Sequence, residues 1–366
     1  MKLIFSVFLI IFLSSCENKK FNKTDLSIDL STDIVIPKHY ILTKTNEQIV
    51  IDGIENESSW KRALYSDLFI DIQGVKIPKY DTKMKMLWDE NYLYVYAQLE
   101  EPHIWGDLKQ RDTVIYYNND FEIFIAPSGT TRNYAEIEIN CLGTVWDLLL
   151  NKPYRDRGNA NNHWNLNGLK SAIQIKGTLN DYHDIDSMWT IEVAIPMDAL
   201  LELKNRRKSM PKEGDQWRIN FSRVEWDYDI VNGVYQRKKE KDGEFKREYN
   251  WVWSNQSVIN MHEPEKWGFI QFTNDSSSVK KTFIEDESML IEQVLFALFR
   301  QTKSGRLAEL LKENVGNSRA IKVKYSEKDS LVATFFKTNI GFEYITYIQQ
   351  SNQTFIINES GSLKVK

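Results

Sequence analysis

From about residue 40 to 273 the chain alternates apolar and polar positions with a period of two. Leu93, Val95, Ala97 and Leu99 alternate with Tyr92, Tyr94, Tyr96 and Gln98. Phe121, Ile123 and Ile125 alternate with Glu122 and Phe124, and Ile137, Ile139 and Cys141 with Glu136, Glu138 and Asn140. Further runs carry Ile173 and Ile175, then Trp189, Ile191, Val193 and Ile195, then Trp217, Ile219 and Phe221. Such alternation lays one face of each strand on a core and turns the other to solvent or ligand. Many short strands with few long helical stretches predict a mainly β protein, an antiparallel β-sandwich over residues 40–275. One short helix is expected after Pro196, because proline suits the first helical position and Met197, Ala199, Leu200 and Leu203 would face inward.

Both ends of the chain break this pattern. Residues 3–13 are almost purely apolar behind Lys2. As a helix they rise about 16 Å, short of a bilayer core of about 30 Å, so they read as the apolar region of a signal peptide spanning 1–15. The run ends in Leu13-Ser14-Ser15-Cys16, which resembles a bacterial lipobox. That resemblance implies cleavage before Cys16 and lipidation of its sulfur, with enough acyl chains for stable anchoring. The other reading is a simple secretory signal with an incidental cysteine. Residues 16–39 are largely polar and read as a flexible tether. The expected location is the bacterial cell envelope, lipid-anchored at the outer membrane on its periplasmic or surface side. Cys141 is then unpaired and expected to be buried as a small hydrophobe.

After the linker Ser276-Ser277-Ser278, residues 284–301 read as a helix with Ile291, Val294, Leu295 and Leu298 on one stripe. Gly305 ends it, and Leu307, Leu310 and Leu311 suggest a second short helix. Strand-like runs follow at 320–324, 331–336, 342–348 and 354–357. Residues 280–366 thus read as a small α+β appendage.

Composition narrows the function. Lys plus Arg is 47 and Asp plus Glu is 51, a formal charge of −4, which argues against nucleic-acid binding because phosphates need a basic surplus. There is no Gly-rich phosphate loop and no G-x-S-x-G elbow, and the five histidines show no metal-ligand spacing. Glu136 and Glu138 share a strand face about 6.8 Å apart. They suit either an acid–base pair of a glycoside hydrolase or the plain polar face of a strand.

Aromatic residues make up 13% of the chain. An exposed ring offers a flat platform for the C–H face of a sugar, and neighbouring acids and amides bond its hydroxyls. Burying about 60 Å² on one ring contributes roughly 1.5 kcal/mol. Trp60, Trp88 and Trp189 sit in apolar or strand contexts and read as structural. Tyr116, Tyr117, Trp146, Trp164 and Trp226 lie among polar residues and are candidates for a ligand face. Arg218, Asn220 and Ser222 share one strand face, with Arg223 on the other. An arginine there suits either an acidic sugar or the bracing of Glu136 and Glu138.

Several segments then resemble, in order, family 9 carbohydrate-binding modules. They are Ile51-Asp52-Gly53 with Glu57 and Trp60, Leu87-Trp88-Asp89-Glu90-Asn91-Tyr92-Leu93-Tyr94-Val95, and Asn119-Asp120-Phe121-Glu122-Ile123-Phe124-Ile125. Glu138-Ile139-Asn140, the strand from Trp189 to Pro196, and His262-Glu263-Pro264-Glu265-Lys266-Trp267-Gly268 complete the series. The resemblance covers about 45–273. Residues 248–268 and the appendage are similar to a lipoprotein branch of the family from Bacteroides-like bacteria. The resemblance implies a DOMON-like sandwich with a blunt cleft for the end of a glycan. It implies one ring of an aromatic pair at Tyr116 and a sugar-binding acid at Glu122. An Arg-x-Asn pair falls on Glu138 and Asn140, so the Asn is kept and the Arg is not. The second ring falls on Met261, which leaves one wall missing unless Trp251 or Trp253 replaces it. Some modules of the family also hold structural calcium. Here the loop 107–112 has oxygen ligands but no calcium-loop spacing, and no other cofactor is expected.

On this reading the protein captures a poly- or oligosaccharide without cleaving it, tethered through Cys16, beside glycoside hydrolases or glycan importers. The expected carbohydrate-binding set is Tyr116, Glu122, Asn140 and Arg223, then Glu138, Trp146 and Trp226. Two alternatives stay open: a glycoside hydrolase using Glu136 and Glu138, and an assembly lipoprotein with a degenerate cleft.

Overall fold

The computed structural model describes residues 26–204 and 208–366. The signal-peptide reading and Cys16 lie outside the described residues. In chain order the strands begin with β1 (Leu26–Asp29), β2 (His39–Lys44), β3 (Thr82–Trp88) and β4 (Tyr92–Glu100). A meander follows, of β5 (Asp120–Ala126), β6 (Tyr134–Asn140) and β7 (Val145–Leu150). Next come β8 (Lys170–Lys176), β9 (Met188–Pro196), β10 (Gln216–Glu225), β11 (Tyr249–Val252) and β12 (Gly268–Thr273).

The principal sheet runs β8-β9-β4-β3-β2-β12-β10-β5-β6-β7, with β11 added on β10. It bends at β2, which meets β3 at only two residue pairs, Thr43 with Leu87 and Lys44 with Trp88. The two halves then face each other over one core. Met84, Met86, Val95, Ala97, Ile191 and Val193 come from one layer, and Phe121, Ile123, Ile125, Ile137, Ile219 and Phe221 from the other. This is the expected β-sandwich. It departs from a purely antiparallel one because β2 runs parallel to both β3 and β12. Long excursions rather than hairpins join β2 to those neighbours, and only such connections allow parallel pairing.

The helix Met197–Glu202 forms, burying Met197 and Leu200 as expected and Leu201 as well, while Ala199 is only half-buried. Cys141 is free and buried, its Sγ donating to the Trp105 carbonyl at 3.2 Å. The first helix of the appendage, Ser288–Lys303, is called αC below. It packs on a second sheet ordered β1-β13-β14-β15-β16-β17, where β13 is Ser318–Lys324, β14 Ser330–Lys337, β15 Phe342–Ile348, β16 Gln353–Asn358 and β17 Leu363–Val365. Their shared core holds Leu30, Val294, Leu298, Ile321, Phe335 and Tyr344.

The tether reading of 16–39 is corrected for its described part. Leu26 to Asp29 pair in parallel with residues 321–324, and Leu30 is wholly buried. The apolar spacing of Leu26, Ile28 and Leu30 gives that segment one face to bury. Among the described residues no helix is long and apolar enough to cross a membrane.

Arg223 has no exposure at all. It lies on the core side of β10, where its Nη2 meets Glu101 at 2.7 Å and Glu225 at 2.8 Å, and its Nη1 donates to Thr82 Oγ1 at 3.1 Å. Asn119 Nδ2 donates to both acids, at 3.2 and 3.0 Å. Burial pushes both carboxyls up and Arg223 pulls them back down. Removing the cation alone strands two acids in the interior. Arg223→Met is therefore expected to lower unfolding stability by about 3–5 kcal/mol in denaturant titration.

Candidate functional site

Strands β5, β6 and β10 turn their apolar residues to the sandwich core. Their opposite face carries Asp120, Glu122 and Phe124 from β5, Glu136 and Glu138 from β6, and Ser222 and Val224 from β10. The register puts Glu122 between Ser222 and Glu138, and Glu138 between Glu122 and Trp146 of β7. This face is covered rather than bare, because loops fold over it. Glu122, Glu136 and Glu138 line a cleft of about 490 Å³ together with Tyr116, Tyr117, Trp146, Tyr154, Met261 and His262.

One wall is the turn Ile115–Tyr117. The Tyr116 amide donates to Glu138 Oε2 at 3.0 Å, and the Tyr116 carbonyl accepts from Trp226 Nε1 at 2.7 Å. The turn Tyr154–Asp156 contributes to the opposing wall. Pro153 leads into it, Arg157 closes it with a left-handed φ of 64°, and the Gly158 amide donates to the Pro153 carbonyl at 2.9 Å. A Cβ on Gly158 would lie 1.8 Å from the Lys152 carbonyl oxygen, so only glycine completes this turn. The Tyr154 ring meets His262 edge-on at 4.7 Å, and His262 Nδ1 bonds the Tyr134 hydroxyl at 2.8 Å. Burial lowers the His262 pKa to about 4 and so keeps the ring neutral at pH 7.

The appendage pins this second wall. Arg300 of αC reaches Asp156 at 3.3 Å, Glu263 at 3.5 Å and Glu265 in a close pair, while Arg155 pairs with Glu263. One guanidinium therefore ties the Tyr154 turn to the segment that carries His262.

The floor is electrostatically unusual. Asp120, Glu122, Glu136 and Glu138 are all buried, and among the described residues none joins an ion pair. Burial pushes Asp120, Glu136 and Glu138 well above the ordinary carboxylate range, and the charges of neighbouring acids push them further. Burial raises Glu122 to about 7. Tyr116 is raised to about 12 by burial and then by Tyr117 and Glu138. Tyr154 is raised to about 12 by burial and then by Glu136, Glu138 and Tyr116. Both rings thus sense Glu138.

Of the residues expected at a sugar site, the structure brings Tyr116, Glu122, Glu138 and Trp146 into the cleft. It places three elsewhere. Arg223 is on the other face, committed to Glu101 and Glu225 rather than to Glu136 and Glu138. Asn140 is wholly buried and caps the β6–β7 turn. Its Oδ1 accepts from the Leu142 and Thr144 amides at 3.1 Å, and its Nδ2 donates to the Leu108 carbonyl at 2.9 Å. Trp226 packs beneath Tyr116 with Trp105 and Tyr235, and so supports the wall without lining it. Trp251 and Trp253 are buried in the sandwich core and do not supply the missing wall. Met261 lines the cleft through a nearly buried side chain, and its carbonyl accepts from Trp267 Nε1 at 2.7 Å. Sequence reasoning missed Tyr154, whose signal was the turn string Pro153-Tyr154-Arg155-Asp156-Arg157-Gly158. It also missed Asp120, which the period of two places on the face of Glu122.

The family described as carbohydrate family 9 binding domain-like matches residues 51–275. The chain belongs to that family, and carbohydrate binding is its coarse function. Among solved structures it is similar to the "putative carbohydrate-binding protein" of Bacteroides uniformis, at 14% identity over 65% of this chain and 100% of that one, with a TM-score of 0.48. It is also similar to a family 9 carbohydrate-binding module of Caldicellulosiruptor kristjanssonii in complex with cellotriose, at 14% identity, 68% and 100% coverage and a TM-score of 0.42. The same kind of module from that organism in complex with glucose matches at 13% identity, 66% and 100% coverage and a TM-score of 0.42. No curated protein matches the chain.

Two measurements check this geometry. The folded pKa of Glu122 lies above its unfolded value, so the folded state binds the extra proton. The penalty of its charge is present above about pH 7 and disappears as pH falls towards the ordinary carboxylate range. In metal-free buffer at pH 8, Glu122→Gln should melt a few degrees above the parent, and the gap should close by pH 4.5. Arg300→Ala strands Asp156 and Glu265. It should cost about 3 kcal/mol and speed amide exchange over residues 152–158 and 259–265.

Proposed function

We propose that the cleft binds the end of an oligo- or polysaccharide without cleaving it. The observation that carries this reading is the pairing of two tyrosine rings, Tyr116 and Tyr154, over one floor of carboxyl groups. The rings offer platforms to the C–H faces of a sugar, and Glu122, Glu136 and Glu138 offer hydrogen bonds to its hydroxyls. Tyr154 takes the part that the resemblance gave to the position of Met261. Trp146 beside Glu138 adds a third apolar surface.

In the same proposal the chain is a lipoprotein held by Cys16 at the bacterial envelope, working beside glycoside hydrolases or glycan importers. The apolar run 3–13 and the string Leu13-Ser14-Ser15-Cys16 support the anchor.

Calorimetric titration with cello-, xylo- and manno-oligosaccharides tests the binding claim. One stacked ring contributes roughly 1.5 kcal/mol, so Tyr116→Ala and Tyr154→Ala should each weaken binding about tenfold. Unchanged affinity in both variants would remove this cleft from the function. Turnover of a chromogenic glycoside, lost in Glu138→Gln, would replace binding with hydrolysis.

A further inference from the structure

We propose that Asp120, Glu122 and Glu138 hold a divalent cation, calcium by its ligand chemistry, and that the ion presents open positions to sugar hydroxyls in the cleft. The second half rests on the glycan-binding reading above; the first stands without it.

The geometry admits one ion. One carboxylate oxygen from each of the three residues lies within 4.8 Å of the other two. Calcium bonds oxygen at about 2.3–2.6 Å, so two ligands on opposite sides of it are about 5 Å apart, and all three residues can reach a shared centre. The strand pairing explains why they meet. Asp120 and Glu122 share a face of β5, and Glu138 stands opposite Glu122 on β6.

A second observation points to a ligand. Asp120 is wholly buried, yet neither of its oxygens has a hydrogen-bond partner of good geometry. The Val224 amide beside it eases the charge only in part. A buried carboxylate without a partner is costly. Three neutralisers are available in principle. Basic side chains are not used: Arg223 is committed to Glu101 and Glu225, and none of the three acids joins an ion pair among the described residues. Protons alone do not complete the site: no hydrogen bond joins one of these acids to another among the described residues, so a protonated Asp120 would still lack a partner. A cation satisfies the geometry as it stands.

The chemistry selects the ion. Three carboxylates are hard oxygen donors, and Glu122 and Glu138 line the cleft. Calcium accepts six to eight oxygens with mixed monodentate and bidentate carboxylates, whereas magnesium demands a near-ideal octahedron at about 2.1 Å. Three carboxylates supply three to six of those ligands. The remaining positions face the space between Tyr116 and Tyr154, where two neighbouring sugar hydroxyls can fill them.

The purified chain, stripped with chelator, is titrated with calcium chloride by calorimetry and with terbium, whose luminescence Trp146 beside Glu138 should sensitise. We expect one calcium per chain and a melting temperature several degrees higher with calcium. Asp120→Asn and Glu138→Gln should each weaken calcium binding more than tenfold. Both variants keep the side-chain shape, and far-ultraviolet circular dichroism should confirm that they fold. Oligosaccharide titrations are then run with calcium and with chelator. Calcium binding together with sugar binding that vanishes in chelator supports the proposal in full. Absence of calcium heat, luminescence and melting shift overturns the ion site and leaves the glycan reading to its own titration. Sugar binding unchanged by chelator overturns the bridging role. Calcium bound with no sugar taken up in either buffer overturns the glycan reading and keeps the ion site.

Discussion

A carboxylate taken out of water must be paired, protonated or bound to a cation, and this sandwich buries such groups on both sides of the same strands. On the core side of β10, Glu101 and Glu225 close on Arg223 and Asn119. On the other side Asp120, Glu122, Glu136 and Glu138 gather without an ion pair among the described residues, although Arg247 lines the same cleft. The first arrangement settles its charge internally and reads as architecture. The second forms no ion pair among the described residues, and the walls of the cleft are built around it.

The walls follow from the same floor. Glu138 accepts the Tyr116 amide and so seats one ring above the acids. Trp226 holds the other end of that peptide through its indole donor. Among the described residues the facing turn makes no hydrogen bond or ion pair with the floor. It is shaped by Pro153 and Gly158 and is held from behind by Arg300. The appendage therefore belongs to the site mechanically although none of its described residues lines the cleft. That contact joins residues 144 positions apart, Asp156 and Arg300.

The sandwich was legible because period-two alternation reports burial on one face directly. It failed where both faces of a strand are covered. Phe124 shares the face of Glu122, and Arg223 shares the face of Phe221, so polarity alone does not say which side holds the ligand. Asn140 and Trp226 carry the residue types of a sugar site, but their bonds to turn amides and to the Tyr116 carbonyl use their polar atoms for structure. Tyr154 was illegible for a different reason. It sits in a turn, where no periodicity applies, and its placement depends on an ion pair from far along the chain. The segment 26–30 read as tether because five residues are too few for alternation to stand out.

Strand β1 belongs to the carboxy-terminal sheet, so the sandwich is an insertion between the first strand of the small domain and its helix. A pull on the amino-terminal end is met first by the four-pair ladder from Leu26 with Ile321 to Asp29 with Lys324. Those strands are parallel, so the ladder resists as a lap joint in shear, and the load passes into the small domain before any of it reaches the sandwich.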